Sequence, residues 1–287
     1  MSISGFTKKR IDLTITLGAG AYGETVGDTV TLTRHRMMAD IALAGGETMG
    51  ALQVRVFGLK QEMMNRLTTI GPTALELLGK NKVLMAAGDD ENGMKVAYQG
   101  SIITAWADYS AAPDVVFNLL AQTAGVQALK PVGALSYQGS ADVAQIMSDL
   151  AKSMGFSFEN QGVNVKLSNP YFPGTAWAQM RACARAANIS ATVDNDKLVI
   201  SPKKGAIVGT VPLISPETGL VGYPSFTSHG LSLKTLYNTD IRLTGLVDVK
   251  SSVVNGRYKV WGVSHSLSSE LPGGPWFTTV EGFPYVG

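Results

Sequence analysis

The sequence is short of charge, of cysteine and of long apolar runs, and each shortage closes off a class of protein. Asp, Glu, Lys and Arg make up 16% of the 287 residues, where about a quarter is usual. The 24 basic and 22 acidic residues leave a formal charge of +2, too near balance for a chain that holds nucleic acid or an anionic membrane by charge. Cys183 is the single cysteine, which excludes internal disulfides and thiolate clusters. Its neighbours, Met180-Arg181-Ala182-Cys183-Ala184, read as a helix interior, where a thiol packs as a small apolar group. No apolar run approaches the ~20 residues of a membrane helix, and Met1 to Arg10 has no apolar core of signal-peptide length. The expectation is a chain made and folded in a cytoplasm, without stable membrane insertion.

What remains is 45% hydrophobic content and 32 glycines, with many Thr and Ser: ample core for two or three domains, and a lean towards strands and turns. Ile11 to Leu17 alternates apolar and polar residues, and Thr29 to Thr33 continues the pattern, predicting half-buried strands. Further strands fit Leu52 to Phe57, Lys82 to Ala86 and Met94 to Trp106, with a turn at Gly88-Asp89-Asp90-Glu91-Asn92-Gly93. A weak helix fits Thr73 to Leu78. Residues 1–110 thus read as an antiparallel β-barrel or sandwich.

From Pro113 the character changes. Helices are predicted from Pro113 to Gly125, from Ser140 as N-cap to Gly155, and from Thr175 to Ala187. Hairpins follow the last two, at Phe156–Phe158 with Val163–Val165 and at Ile189–Val193 with Leu198–Ile200. Residues 111–204 therefore read as an α+β middle region with a duplicated helix-hairpin unit. Pro202-Lys203-Lys204-Gly205 is the best linker, and residues 205–287 return to strands at Gly230 to Leu236, Ile241 to Lys250, Arg257 to Leu267 and Trp276 to Val280.

Candidate chemistry thins out on inspection. Gly18-Ala19-Gly20-Ala21-Tyr22-Gly23 matches a dinucleotide fingerprint, but the strand-like Thr25 to Thr33 follows where a helix must receive the pyrophosphate; a hairpin loop is the better reading. His35, His229 and His265 have no partner at metal-motif spacing. Ser264 and His265 adjoin on a strand, so they point to opposite faces and make no nucleophile and base pair. Asp89, Asp90 and Glu91 lack the alternating ligands of a calcium loop and read as a solvated turn. Arg34, His35 and Arg36 read as a wet strand edge, and Trp106, Trp177, Trp261 and Trp276 as core or interface residues. No catalytic, cofactor-binding or metal residue is assigned and no cofactor is expected. An enzyme such as a cell-wall hydrolase would need clustered carboxylates or a Cys with His in one cleft.

Four segments carry a resemblance. Tyr137 to Val143, Leu150 to Phe156, Asn160 to Val163 and Asn169 to Thr175, in that order, are similar to the middle region of baseplate hub proteins of contractile-tailed phages. Pro212 to Pro224 and the closing Gly273-Gly274-Pro275-Trp276-Phe277 also look like that family. The resemblance implies two tail-tube-like β-barrel domains flanking the helix-plus-hairpin region, and assembly as a homotrimer. Three copies with two barrels each would form a pseudo-sixfold ring between a sixfold tail tube, or its initiator, and a threefold central spike. The tape measure protein and then DNA would pass through its channel, with other baseplate proteins outside. A channel that releases DNA is expected to present neutral or acidic faces, because a basic lining would hold phosphates. The alternative within the same architecture is a distal tail or secretion-apparatus adaptor.

Overall fold

A computed structural model describes residues 7–17, 29–45, 48–68, 81–129, 131–203, 205, 209–228 and 230–285. The predicted helix at Thr73 to Leu78 and the loop at Gly18 to Gly23 fall outside them. The protein is mainly β. The first part of the chain forms β1 (Lys9–Thr16), β2 (Thr29–Leu32), β3 (Met37–Ala44), β4 (Ala51–Phe57), α1 (Gln61–Leu67), β5 (Lys82–Asp89), β6 (Gly93–Asp108) and β7 (Val116–Gln122). The middle forms α2 (Gly125–Leu129), β8 (Leu135–Ser136), β9 (Ser140–Asp142), α3 (Val143–Met154), β10 (Ser157–Asn160), β11 (Lys166–Ser168), β12 (Tyr171–Phe172), α4 (Ala176–Ala186), β13 (Ile189–Asp194) and β14 (Lys197–Pro202). The last part forms β15 (Leu213–Ile214), a 3-10 turn (Pro216–Thr218), β16 (Leu220–Thr227), β17 (Gly230–Leu236), β18 (Leu246–Lys250), β19 (Asn255–Ser269) and β20 (Trp276–Pro284).

One sheet joins the two ends of the chain, in the order β16-β17-β20-β19-β3-β4-β7-β6-β5-β1-β2, with β18 and β15 branching from β19. The pairing does not close on itself among the described residues. It must nevertheless curl. Laid flat at ~4.8 Å per strand, the seven strands from β2 to β3 would separate those two by about 29 Å. The four residues 33–36 that connect them reach about 18 Å at most. At the other end β15 and β16 terminate the six-strand run β15-β18-β19-β20-β17-β16, yet a tight turn joins them, with the Leu220 amide donating to the Ser215 carbonyl at 2.8 Å. Each half wraps its own core. The first holds Ile11, Leu13, Ile15, Val54, Met85, Phe117 and Leu119; the second holds Leu231, Leu233, Val247, Val260 and Val280.

The seam between the halves is β19. Its first residues pair with β18, from Asn255 to Lys259. Past a register shift between Val260 and Gly262 against β20, the strand pairs with β3 instead, from Gly262 opposite Ala44 to Ser269 opposite Met37. A bulge bends and twists a strand, and here it coincides with the exchange of partners. β6, similarly long, pairs with β5 over its first half and β7 over its second, with register shifts at both contacts.

Three local expectations are corrected. Residues 113–125 do not form the short helix expected there: Val116–Gln122 is β7, central between β4 and β6. Val115, Val116 and Phe117 suit a pleated surface, and a helix there would leave two strand edges unpaired. The segment 156–165 is not a hairpin. β10 runs parallel to β14, while Asn160 braces the following loop through its Nδ2 to the Val163 carbonyl and its Oδ1 from the Val163 amide. The helix-hairpin unit is therefore not duplicated; α3 and α4 pack together with the three-stranded sheet β10-β14-β13. Helix α3 starts two residues later than the Ser140 cap implied, because Ser140–Asp142 pairs with β11 and Asp142 caps the Ala144 amide. Thr175 caps α4 as predicted. The β13–β14 turn pins the middle unit to the first half: Asp196 accepts from Gln99 Nε2 at 2.9 Å and lies 3.7 Å from Lys82 Nζ.

The β5–β6 turn shows how the sequence fixes a hairpin. Asp89 is buried, while Asp90 and Glu91 are exposed, so only part of this turn is solvated. Its Oδ1 accepts from the Glu91 and Asn92 amides at 3.1 and 2.7 Å, and its Oδ2 from Lys9 Nζ and Thr7 Oγ1, each at 3.0 Å. A side chain on Gly88 would collide with the Gly93 carbonyl. Burial pushes the Asp89 carboxyl up, but the bonds from Asn92, Lys9 and Thr7 outweigh it and hold the group well below the usual carboxylate range. A lowered carboxylate stabilises the fold above its unfolded value of about 4 and loses that contribution as pH falls further. Asp89→Ala is expected to cost ~1–3 kcal/mol at pH 7, read as a lower urea midpoint; an unchanged midpoint would contradict this account.

Candidate assembly and channel surfaces

Each strand of the sheet turns one set of residues to the cores and the other outward. In the centre of the sheet the outward set is nearly free of charge. Ser264 and Ser266 of β19 lie opposite Ala42 and Asp40 of β3, Asp40 lies opposite Gln53 of β4, and Gln53 lies opposite Leu120 of β7. With Gln122 and Thr279 they line a groove of about 410 Å³ across the seam, whose only ionisable residues among those described are Asp40 and His265. Asp40 accepts from Ser266 Oγ at 2.8 Å. Further out, Arg55 continues the face beside Gln53, and Lys234 lies over the Phe277 ring, 4.1 Å from its centroid.

Ser264 is exposed and His265 buried, so the adjacent pair does face opposite ways. His265 Nδ1 lies 2.9 Å from Thr278 Oγ1. That hydroxyl already accepts from the Asn238 amide at 3.1 Å, which leaves its proton for an unprotonated ring nitrogen. The Tyr237 ring meets the imidazole edge-on at 5.2 Å. Burial lowers the His265 pKa to about 4 from 6.5. The ring is a neutral wedge near the seam.

The other flagged residues serve the fold. Arg34, His35 and Arg36 form the β2–β3 link; the His35 carbonyl accepts from Ser269 Oγ and Arg36 covers the Phe57 ring. Cys183, on α4, is fully buried in the middle core, and burial pushes its thiol up to about 12, where little thiolate exists at neutral pH. Trp177 is in the middle core, Trp276 packs against the first core, Trp261 stacks on Phe283 at 5.9 Å, and Trp106 is half-buried. His229 lies outside the described residues. Among the described residues no group of three His, Cys, Asp or Glu could hold a metal, and no helix is long and apolar enough to cross a membrane. Sequence reasoning missed β3 and with it the groove. Ile41 and the alternation around it were the available signal.

A charge-poor sheet of two curled halves, with an α/β unit between them in the chain, is the fold of phage tail proteins. A tail protein from Neisseria meningitidis matches with a TM-score of 0.64 at 11% identity, over 96% of both chains. A prophage tail protein from Shewanella oneidensis matches at 0.63 and 10%, over 96% of this chain and 98% of that one. An E. coli component of the type VI secretion system, itself described as similar to the T4 tail proteins gp27 and gp5, matches at 0.60 and 10%, over 88% and 75%. No curated protein matches. The chain belongs to the Baseplate hub gp41 family, whose pattern it matches over residues 11–282.

The His265 environment is open to test. In acid the unfolded chain takes up a proton on this ring before the folded chain does. The stabilising contribution is therefore whole above pH 6.5 and drains away as pH falls towards 4, by about 3 kcal/mol in all. Urea titrations of the wild type and His265→Gln at several pH values should show the wild type losing this advantage between pH 7 and 4; a constant difference would contradict the neutral, buried assignment.

Proposed function

We propose that this protein is a non-enzymatic subunit of the phage baseplate hub, three copies of which form a pseudo-sixfold ring. The ring joins the tail tube, or its initiator, to the central spike and leaves a channel for the tape measure protein and DNA. The two curled halves act as two tube-like barrels. Residues 1–110, 111–204 and 205–287 divide the chain into first barrel, middle unit and second barrel, with β7 extending the first pairing to Gln122. The observation that carries the reading is the unbroken sheet through both halves, with a groove lining without Lys or Arg on its outward face. A wall of Ser, Ala, Gln and Asp gives DNA phosphates no cation to release counterions for, so DNA slides past. The family assignment supports the place in the virion, on the tail baseplate.

A secretion-apparatus adaptor is the second reading, favoured by the match to the E. coli type VI component. The symmetry of the assembly separates the main architectures. Native mass spectrometry of the purified chain is expected to show a trimer; a hexamer would favour a distal tail adaptor, and a monomer at every concentration would overturn the ring. Incubation with peptidoglycan should release nothing, and turnover there would overturn the structural assignment.

A further inference from the structure

Strand β16 ends the sheet on the C-terminal side, pairing among the described residues with β17 alone. Apart from half-buried Leu220 and buried Pro224, its residues are exposed on both faces of the strand. They include Val221, Tyr223 at 78% and Phe226 at 67% of full exposure. The strand contains no charged residue. A strand of an antiparallel sheet ordinarily buries one face; from Val221 to Phe226 this one exposes residues on both, and no second strand among the described residues pairs with its outer edge, which another strand or surface would satisfy.

We infer that β16 is the surface by which one copy receives the next, and that its occupant is the N-terminal half of a second copy of this chain. The inference rests on the ring reading. Three features select that occupant. First, a charge-free strand with exposed Tyr and Phe offers no complement to a charged ligand but matches the core of an interface between subunits, which is poor in charge and rich in aromatics. Second, the outward face that carries the groove runs on through β20 and β17 and stops at β16. It can continue around an axis only if a neighbour's sheet begins there. Third, the opposite end of the same sheet lies in the N-terminal half, at β2, so copies joined end to end make a heterologous contact of the kind that closes into rings, whereas β16 against β16 would give a twofold dimer. Pro224 and the register shift between Val221 and Ser225 interrupt the ladder, which limits the contact to a short patch and guards the free edge against indefinite pairing. Two aromatic side chains at ~150–250 Å² each would form the centre of a contact needing about 800 Å² from each partner.

The test uses the full chain and the double variant Tyr223→Ser, Phe226→Ser, with native mass spectrometry for assembly and circular dichroism for folding. Both side chains are exposed, so the variant should keep the wild-type spectrum and melting midpoint while its trimer dissociates at a concentration at least tenfold higher. A wild-type trimer with an equally tight variant trimer overturns the assignment of β16 and leaves the ring intact. A wild type that stays monomeric overturns both. Should the variant misfold, hydrogen exchange of the wild type reads the same edge: amides of residues 221–226 other than Pro224 should exchange more slowly in the assembled than in the diluted protein. Equal exchange overturns the inference, as does protection within a twofold dimer.

Discussion

The edges of β19 govern this molecule. A strand of this length presents two long rows of backbone hydrogen-bonding groups, and each must find a partner or water. β20 takes one row from Tyr258 to Leu267. The other is shared between β18 and β3, on either side of the register shift near Trp261. That division fuses the halves, because β18 belongs to the second core and β3 to the first. Ser264 and Ser266 are thereby placed beside Ala42 and Asp40, and an outward face that neither half owns alone comes into being. The neutral His265 beneath it is tolerable because Thr278 supplies a donor while burial suppresses its charge.

Much of this was legible in the sequence where one face of a strand is buried and the other wet. β1 and β17 show clean alternation, and the caps at Thr175 and Gly155 mark helix boundaries through chemistry local to a few residues. The failures share a cause. β7 is central in the sheet and does not alternate, since Phe117, Asn118 and Leu119 are all buried, and the apolar Val115, Val116, Leu119 and Leu120 fall at spacings that also fit a helix face. Phe156 to Val165 looks like a hairpin until Ile200, supplied from forty residues away, accepts the Gln161 amide and draws β10 into a parallel pairing. The groove could not be read locally at all, since it exists only through register between segments more than 200 residues apart.

The expected absence of catalytic machinery rested on missing motifs, and the structure gives the scattered groups other duties. Asp89 clamps a hairpin, Cys183 packs in the middle core, and the basic trio at residues 34–36 ties a link to the body. Charge is scarce for a related reason. In the ring proposed above, a subunit that meets copies of itself around a passage for DNA would gain from apolar edges and a lining poor in cations, and a chain with 16% charged residues suits both demands.

The central claim is that the outward face of the seam borders a channel on a threefold axis. Electron microscopy of the assembled baseplate at side-chain resolution tests it most directly. Ser264, Gln53 and Gln122 should face the axis in three symmetry-related copies; finding that face packed against another protein, or turned to the outside of the tail, would contradict the account.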